Sequence, residues 1–238
     1  MRVEGLRPLI KIKGMTNWEI IEQSIREKKI IELGILEQHF TTSCKLHTAR
    51  NHLVKLGKLI PTKRITDLPV EIEVDEQKNV KSIVWHDTWI IKAEKYFEEF
   101  DGFFYSLRGC LDSFFWEINL IFKLGLKKIT YAEVKKAVKK KHNEKATTKL
   151  LEKLENEHWF RYVSEVRNEL THHTLSEFIT FTEDLMIYLP SDPKRNEYLR
   201  EERYEVLTCL KTLADNTLEF LEKGYEAMMF DLNIRPLL

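Results

Sequence analysis

The sequence predicts a mainly α-helical chain, an up-down helical bundle carrying an N-terminal helical extension and a small β-hairpin. Three observations predict it. Glycine and proline number only 8 and 6 in 238 residues, so the chain has few built-in breaks, and Lys, Glu and Leu, all good helix formers, are abundant. Apolar residues recur at intervals of three, four and seven over long stretches, the signature of a helix with one buried face. Period-two alternation stands out in one short region only. A 43% hydrophobic and 32% charged composition supplies both a core and a solvated surface.

The elements follow in order. Residues 1–14 read as irregular or strand-like. Thr16 or Asn17 is placed to cap a helix through about Leu33, with Gly34 as its stop and Ile20, Ile21, Ile25 and Ile31 as its stripe. A second helix is expected from Leu36 to about Leu56, ended by Gly57. In 68–85, Val70, Ile72 and Val74 alternate with Glu71 and Glu73, polar residues follow, and VKSIVW comes next, which predicts a β-hairpin. This hairpin marks the expected boundary between an N-terminal extension, 1–86, and a bundle, 87–238. Trp89, Tyr96, Phe100, Phe103, Leu107, Leu111, Phe114, Ile118 and Ile121 predict a long helix, or two joined near Gly102, ending around Gly125. Thr130 caps a short helix. A long one is expected from about Lys145 to His172. FITFTEDLMIYLP then reads as a loop or strand, and a last helix is expected from about Asn196 to Phe230, with Tyr204, Leu207, Leu210, Leu213, Leu218, Leu221 and Tyr225 inside.

Lysine plus arginine equals aspartate plus glutamate at 38 each, so no global field draws a polyanion. Cys44, Cys110 and Cys209 are dispersed and odd in number, which points to reduced thiols and a cytoplasmic chain. The first residues lack a signal-peptide pattern, and no apolar run reaches the roughly 18 residues of a membrane span, so no membrane partner is expected.

The chemistry-bearing segment is SEVRNELTHHT, Ser164 to Thr174. Arg167 offers a permanent planar cation for phosphate, and His172 and His173 can exchange protons near neutral pH. On an ideal helix His172 lies about 140° from Arg167, so the two share a face only if the helix loosens or a second copy completes the site. An Arg and a His near a helix C-terminus also complement its dipole, which is the bland alternative.

Arg167-Asn168-Glu169-Leu170-Thr171-His172 matches the R-N-x-x-x-H form of the HEPN superfamily, and residues 87–232 resemble the helical bundle of its small stand-alone bacterial members. The resemblance implies a metal-independent endoribonuclease without a cofactor. In it the motif histidine, His172 or the adjacent His173, activates a ribose 2′-hydroxyl, Arg167 stabilises phosphate charge, and Asn168 completes the motif. It also implies a homodimer acting on RNA, and a toxin or defence role alongside an antitoxin protein. Such domains often hold a polar or acidic residue on the first bundle helix, and Asp112 fits that place, where it would orient the His or the Arg, with an ordinary solvated aspartate as the alternative. Asp112, Trp116 and Asn119 fall on one helical face, and Glu117 is less well aligned. A non-catalytic RNA- or nucleotide-binding or dimerisation module, and a helical protein with no nucleic-acid role, are the competing readings.

The run from Lys135 to Lys149 has seven lysines and one acid, Glu144. Lys135, Lys136, Lys139, Lys140 and Lys141 are candidate RNA-phosphate contacts, with a solvated helix face as the commoner explanation. Cys44, His47 and His39 have helical spacing suited to a metal but no fourth ligand, and no metal is expected.

Overall fold

The computed structural model describes residues 33–59, 70–74, 80–85, 87–172, 180–181, 187–190 and 203–233; the helix expected before Leu33 lies outside them. These residues are mainly helical. The helices are α1 (Leu33–Leu59), α2 (Asp87–Ile121), α3 (Tyr131–His142), α4 (Ala146–Leu154), α5 (His158–His172) and α6 (Val206–Asp231). Strands β1 (Val70–Val74) and β2 (Val80–Trp85) pair antiparallel, with Val70 opposite Trp85 and a register shift at Glu73/Val74. Short strands β3 (Thr180–Phe181), β4 (Ile187–Pro190) and β5 (Arg203–Glu205) form a second antiparallel sheet in that order.

Helix α2 is the axis of the fold. Its buried residues Phe100, Phe103, Phe104, Leu107, Leu111, Phe114, Phe115 and Ile118 recur at helical spacing and meet neighbours on several sides. It runs unbroken through Gly102, because that glycine serves packing rather than a turn. A Cβ there would lie 2.4 Å from the His52 ring of α1, and one at Gly109 would lie 3.1 Å from the Lys45 side chain. Two glycines seven residues apart thus let α1 come close to α2. Ile35, Leu46, Ala49 and Leu56 of α1 join the same core as α2, so one core draws residues from both sides of position 86.

Helix α2 stops through backbone bonding. Leu124 N–H reaches Asn119 O at 3.0 Å and Lys123 N–H reaches Leu120 O at 3.1 Å, with Lys123 in the left-handed region at φ 48°. These two bonds satisfy carbonyls that a helix end leaves bare. The Asn119 side chain then accepts from Leu126 N–H at 3.0 Å and pins the following loop. Thr130 caps α3 by accepting from Glu133 N–H at 3.3 Å.

Several boundaries differ from the sequence expectation. Gly57 lies inside α1 and does not stop it, and Gly34 is itself helical at the start of α1. The single helix expected over 145–172 is two. In α4 the buried positions are Thr147, Thr148, Leu151 and Leu154. Continuing that stripe at 3.6 residues per turn would bury His158 and Arg161, which are exposed. A tight turn, with Asn156 N–H on Lys153 O and Glu157 N–H on Leu154 O (both 3.1 Å), resets the phase so that Phe160, Val163 and Val166 face inward. The last helix begins at Val206, because Arg203–Glu205 pairs with β4 instead. Within it Leu207 and Leu218 are only half-buried, while Phe220, Met228 and Met229 are inside.

The N-terminus of α4 is capped from far along the chain. Asp231, at the end of α6, accepts from Ala146 N–H (2.8 Å) and Thr147 N–H (2.9 Å), and Lys145 Nζ donates to the Asp231 carbonyl (2.7 Å). A carboxylate on a helix N-terminus satisfies bare amides and complements the dipole.

Gly224 of α6 sits over the Phe114 ring, where an added Cβ would be 2.3 Å from Phe114 Cζ. Phe114 is fully buried, so neither partner can step aside freely. Gly224→Ala is therefore expected to destabilise the fold by about 1–3 kcal/mol despite the better helix propensity of alanine, read as a lower midpoint in urea unfolding.

Candidate functional site

The motif helix α5 lies along α2 through a line of polar contacts. Near its C-terminal end the Arg167 guanidinium stands over the Tyr105 ring, 5.3 Å from its centre. Arg167 Nη1 also donates to Asn168 Oδ1 at 3.4 Å. Thr171 Oγ1 donates to Arg167 O at 2.9 Å, so the Tyr105 hydroxyl, 3.1 Å from that Oγ1, is the donor between them. Among the described residues no carboxylate pairs with Arg167. His172 is the last residue of α5, and His173 lies outside the described residues.

Because α5 stays helical through His172, the positions of Arg167 and His172 remain about 140° apart around its axis. Thr171, not His172, shares the Arg167 face.

Asp112 meets an arginine of its own helix. Its Oδ1 accepts from Arg108 Nε (3.1 Å) and Nη2 (3.0 Å) on its own helix. The third guanidinium nitrogen, Arg108 Nη1, donates to Ser164 Oγ on α5 at 2.5 Å, and the Arg108 cation lies 5.8 Å from the Phe160 ring centre. Asp112 thus orients an arginine that ties α2 to α5, because Arg108 stands one helical turn away and claims it. The face expected to carry Asp112, Trp116 and Asn119 together is also divided. Trp116 is exposed, whereas Asn119 is buried by its bond to the loop.

The lysine run carries more compensation than its sequence suggests. Lys135 pairs with Glu155 at 2.6 Å and Lys139 with Glu152 at 2.7 Å, both acids coming from the α4 side of the helix pair. Lys141 donates to the carbonyls of Lys123 (3.0 Å) and Leu124 (3.3 Å). Lys136 and Lys140 are exposed. Among the described residues no three His, Cys, Asp or Glu side chains converge as a metal site, and no helix is long and apolar enough to cross a membrane.

Sequence reasoning missed the most buried charged side chain among the described residues. Glu117 is 1% exposed. Its carboxylate lies 2.8 Å from His39 Nδ1, accepts from the Thr42 hydroxyl, and accepts from the Tyr225 hydroxyl at 3.1–3.2 Å. Three helices, α1, α2 and α6, meet there. Burial, reinforced by the Glu117 carboxylate, pushes the Tyr225 phenol well above its ordinary value, and the same two causes push the Cys110 thiol up.

Comparison with protein-family models, with curated proteins and with solved structures returned no match.

Two outcomes are expected of the buried cluster. Glu117→Ala strands two or three buried donors and should cost about 3 kcal/mol or more in chemical denaturation. Tyr225 binds its proton more tightly folded than unfolded, so its contribution is complete below the unfolded phenol value near 10 and declines as pH rises past it. Wild-type stability should therefore fall more steeply above about pH 10 than that of Tyr225→Phe, in unfolding midpoints measured across the alkaline range.

Proposed function

We propose that this chain is a metal-independent endoribonuclease of the HEPN type that works as a homodimer, in the setting of a toxin or defence factor restrained by an antitoxin protein. The observation that carries the reading is Arg167. It is a guanidinium near the end of the R-N-x-x-x-H helix, held over Tyr105 and free of any carboxylate among the described residues. A cation pre-positioned on an aromatic face suits a phosphate.

In the proposed chemistry the motif histidine takes the proton of a ribose 2′-hydroxyl. The 2′-oxygen attacks the adjacent phosphorus, and the bond to the 5′-oxygen breaks. That leaving oxygen takes up a proton, and a 2′,3′-cyclic phosphate remains. Arg167 stabilises charge on the non-bridging oxygens. The 140° offset between the two motif positions supports pairing of two copies, since one straight helix does not aim both at one phosphate.

One observation favours a second reading. Asp112 Oδ1 pairs with Arg108 rather than with the motif arginine, so the expected orienting acid is engaged elsewhere on its own helix. On that reading the same surface is a non-catalytic RNA- or nucleotide-binding or dimerisation module.

The discriminating experiment is cleavage of a mixed RNA pool in EDTA by wild type, Arg167→Ala and His172→Ala. The nuclease reading expects cyclic-phosphate ends from wild type and a roughly 100–1,000-fold loss of rate in Arg167→Ala. Loss in His172→Ala assigns the base to His172, and retention there moves it to His173. Binding without product by every form favours the module.

A further inference from the structure

Helix α2, which packs along the motif helix, turns two aromatic rings outward. Tyr105 and Trp116 are 43% and 38% exposed, while Phe103, Phe104, Phe114 and Phe115 next to them are fully buried. The two exposed positions are 11 residues apart, which on a helix sets them about 20° apart around the axis and roughly 16 Å apart along it. They therefore lie on one line. Arg108 and Asp112 fall between them on the same strip, fixed to each other and, through Arg108, to Ser164 of α5. Arg167 stands at the Tyr105 end.

The charge along this strip is sparse. Asp112 neutralises Arg108, and the lysine run on α3 is partly spent on Glu152, Glu155 and loop carbonyls. A double helix, which offers proteins chiefly its phosphates and covers its base faces, would find little here. An unpaired strand offers open base faces, on which aromatic rings and guanidinium groups stack.

We infer that Tyr105 and Trp116 are base-stacking seats for single-stranded RNA lying along the α2–α5 strip, with a backbone phosphate at Arg167. The choice of RNA as occupant rests on the nuclease reading above; the seats themselves rest on the exposed rings and their alignment. Tyr105 has a double part, since it backs the Arg167 guanidinium and presents the remainder of its ring. The two residues are positioning residues for substrate and take no proton.

The test is direct binding of a single-stranded 2′-O-methyl RNA, which has no free 2′-hydroxyl and cannot be cleaved by the proposed route. Affinity is read by fluorescence anisotropy for wild type, Tyr105→Ala, Trp116→Ala, Tyr105→Phe and Trp116→Phe, with a duplex of the same sequence as competitor. Each alanine variant should lose roughly tenfold or more in affinity. The phenylalanine variants, which keep a ring, should stay within a few fold of wild type. Wild-type tryptophan emission should be quenched on binding by more than that of Trp116→Phe, a readout that does not depend on any variant being stable. Alanine variants that fold and bind as well as wild type would overturn the seats, as would a duplex bound as tightly as the single strand, or no binding by wild type. The nuclease reading fails separately. Weakened binding by the alanine variants, together with no cleavage of ordinary RNA by any form, keeps the seats and removes the catalysis.

Discussion

The fold depends on how a carboxylate is kept in its interior. Glu117 stands one turn from the C-terminal end of the core helix α2, and burying its charge alone would cost several kcal/mol. Three donors answer it, His39 and Thr42 from α1 and Tyr225 from α6. None of the three helices can slide along or turn about its axis without breaking that set. Apolar packing is permissive about such motions, because one leucine contact replaces another at small cost. A buried carboxylate with fixed donors is not. The glycines at 102, 109 and 224 act in the same direction, since each lets a neighbouring side chain come closer to a helix than a Cβ would allow.

The seam between α2 and α5 has a different character. Its inner edge is apolar, with Phe160 and Val163 buried, while its outer edge is a row of polar bonds from Tyr105–Thr171 to Arg108–Ser164. The outer row contributes little stability, since exposed ion pairs and hydroxyl bonds are worth about 1 kcal/mol or less each. Its effect is geometric. It fixes the rotation of α5 and so decides which way Arg167 faces. A site built on the rim of a helix pair keeps its precision from the core below and its access to solvent from the rim above.

Much of the fold was legible because helical periodicity survives in a single sequence. The unbroken run from Phe100 to Ile118 and the Thr130 cap are local facts, readable at spacings of three and four. The break at 155–157 was not, because Leu154 to Phe160 is apolar at both ends and only the exposure of His158 and Arg161 reveals the change of phase. Of the site, the Arg167–Asn168 pair was legible as a motif. Tyr105, Arg108 and Ser164 were not, since their meeting depends on which face of α2 receives α5. Glu117 illustrates the limit best. On a helix read alone, a glutamate beside a tryptophan looks solvated; its partners His39 and Tyr225 are 78 and 108 residues away in sequence, and only tertiary structure brings them together.

The last helix has a further consequence for the order in which the molecule can be made. A chain emerging from the ribosome presents α1, α2 and α4 well before α6. Until Asp231 arrives, the amides of Ala146 and Thr147 at the start of α4 lack their cap, and until Tyr225 arrives Glu117 lacks one of its donors. The nascent bundle therefore holds an incompletely answered charge and an unfinished helix end, and α6 supplies both the missing donor and the missing cap.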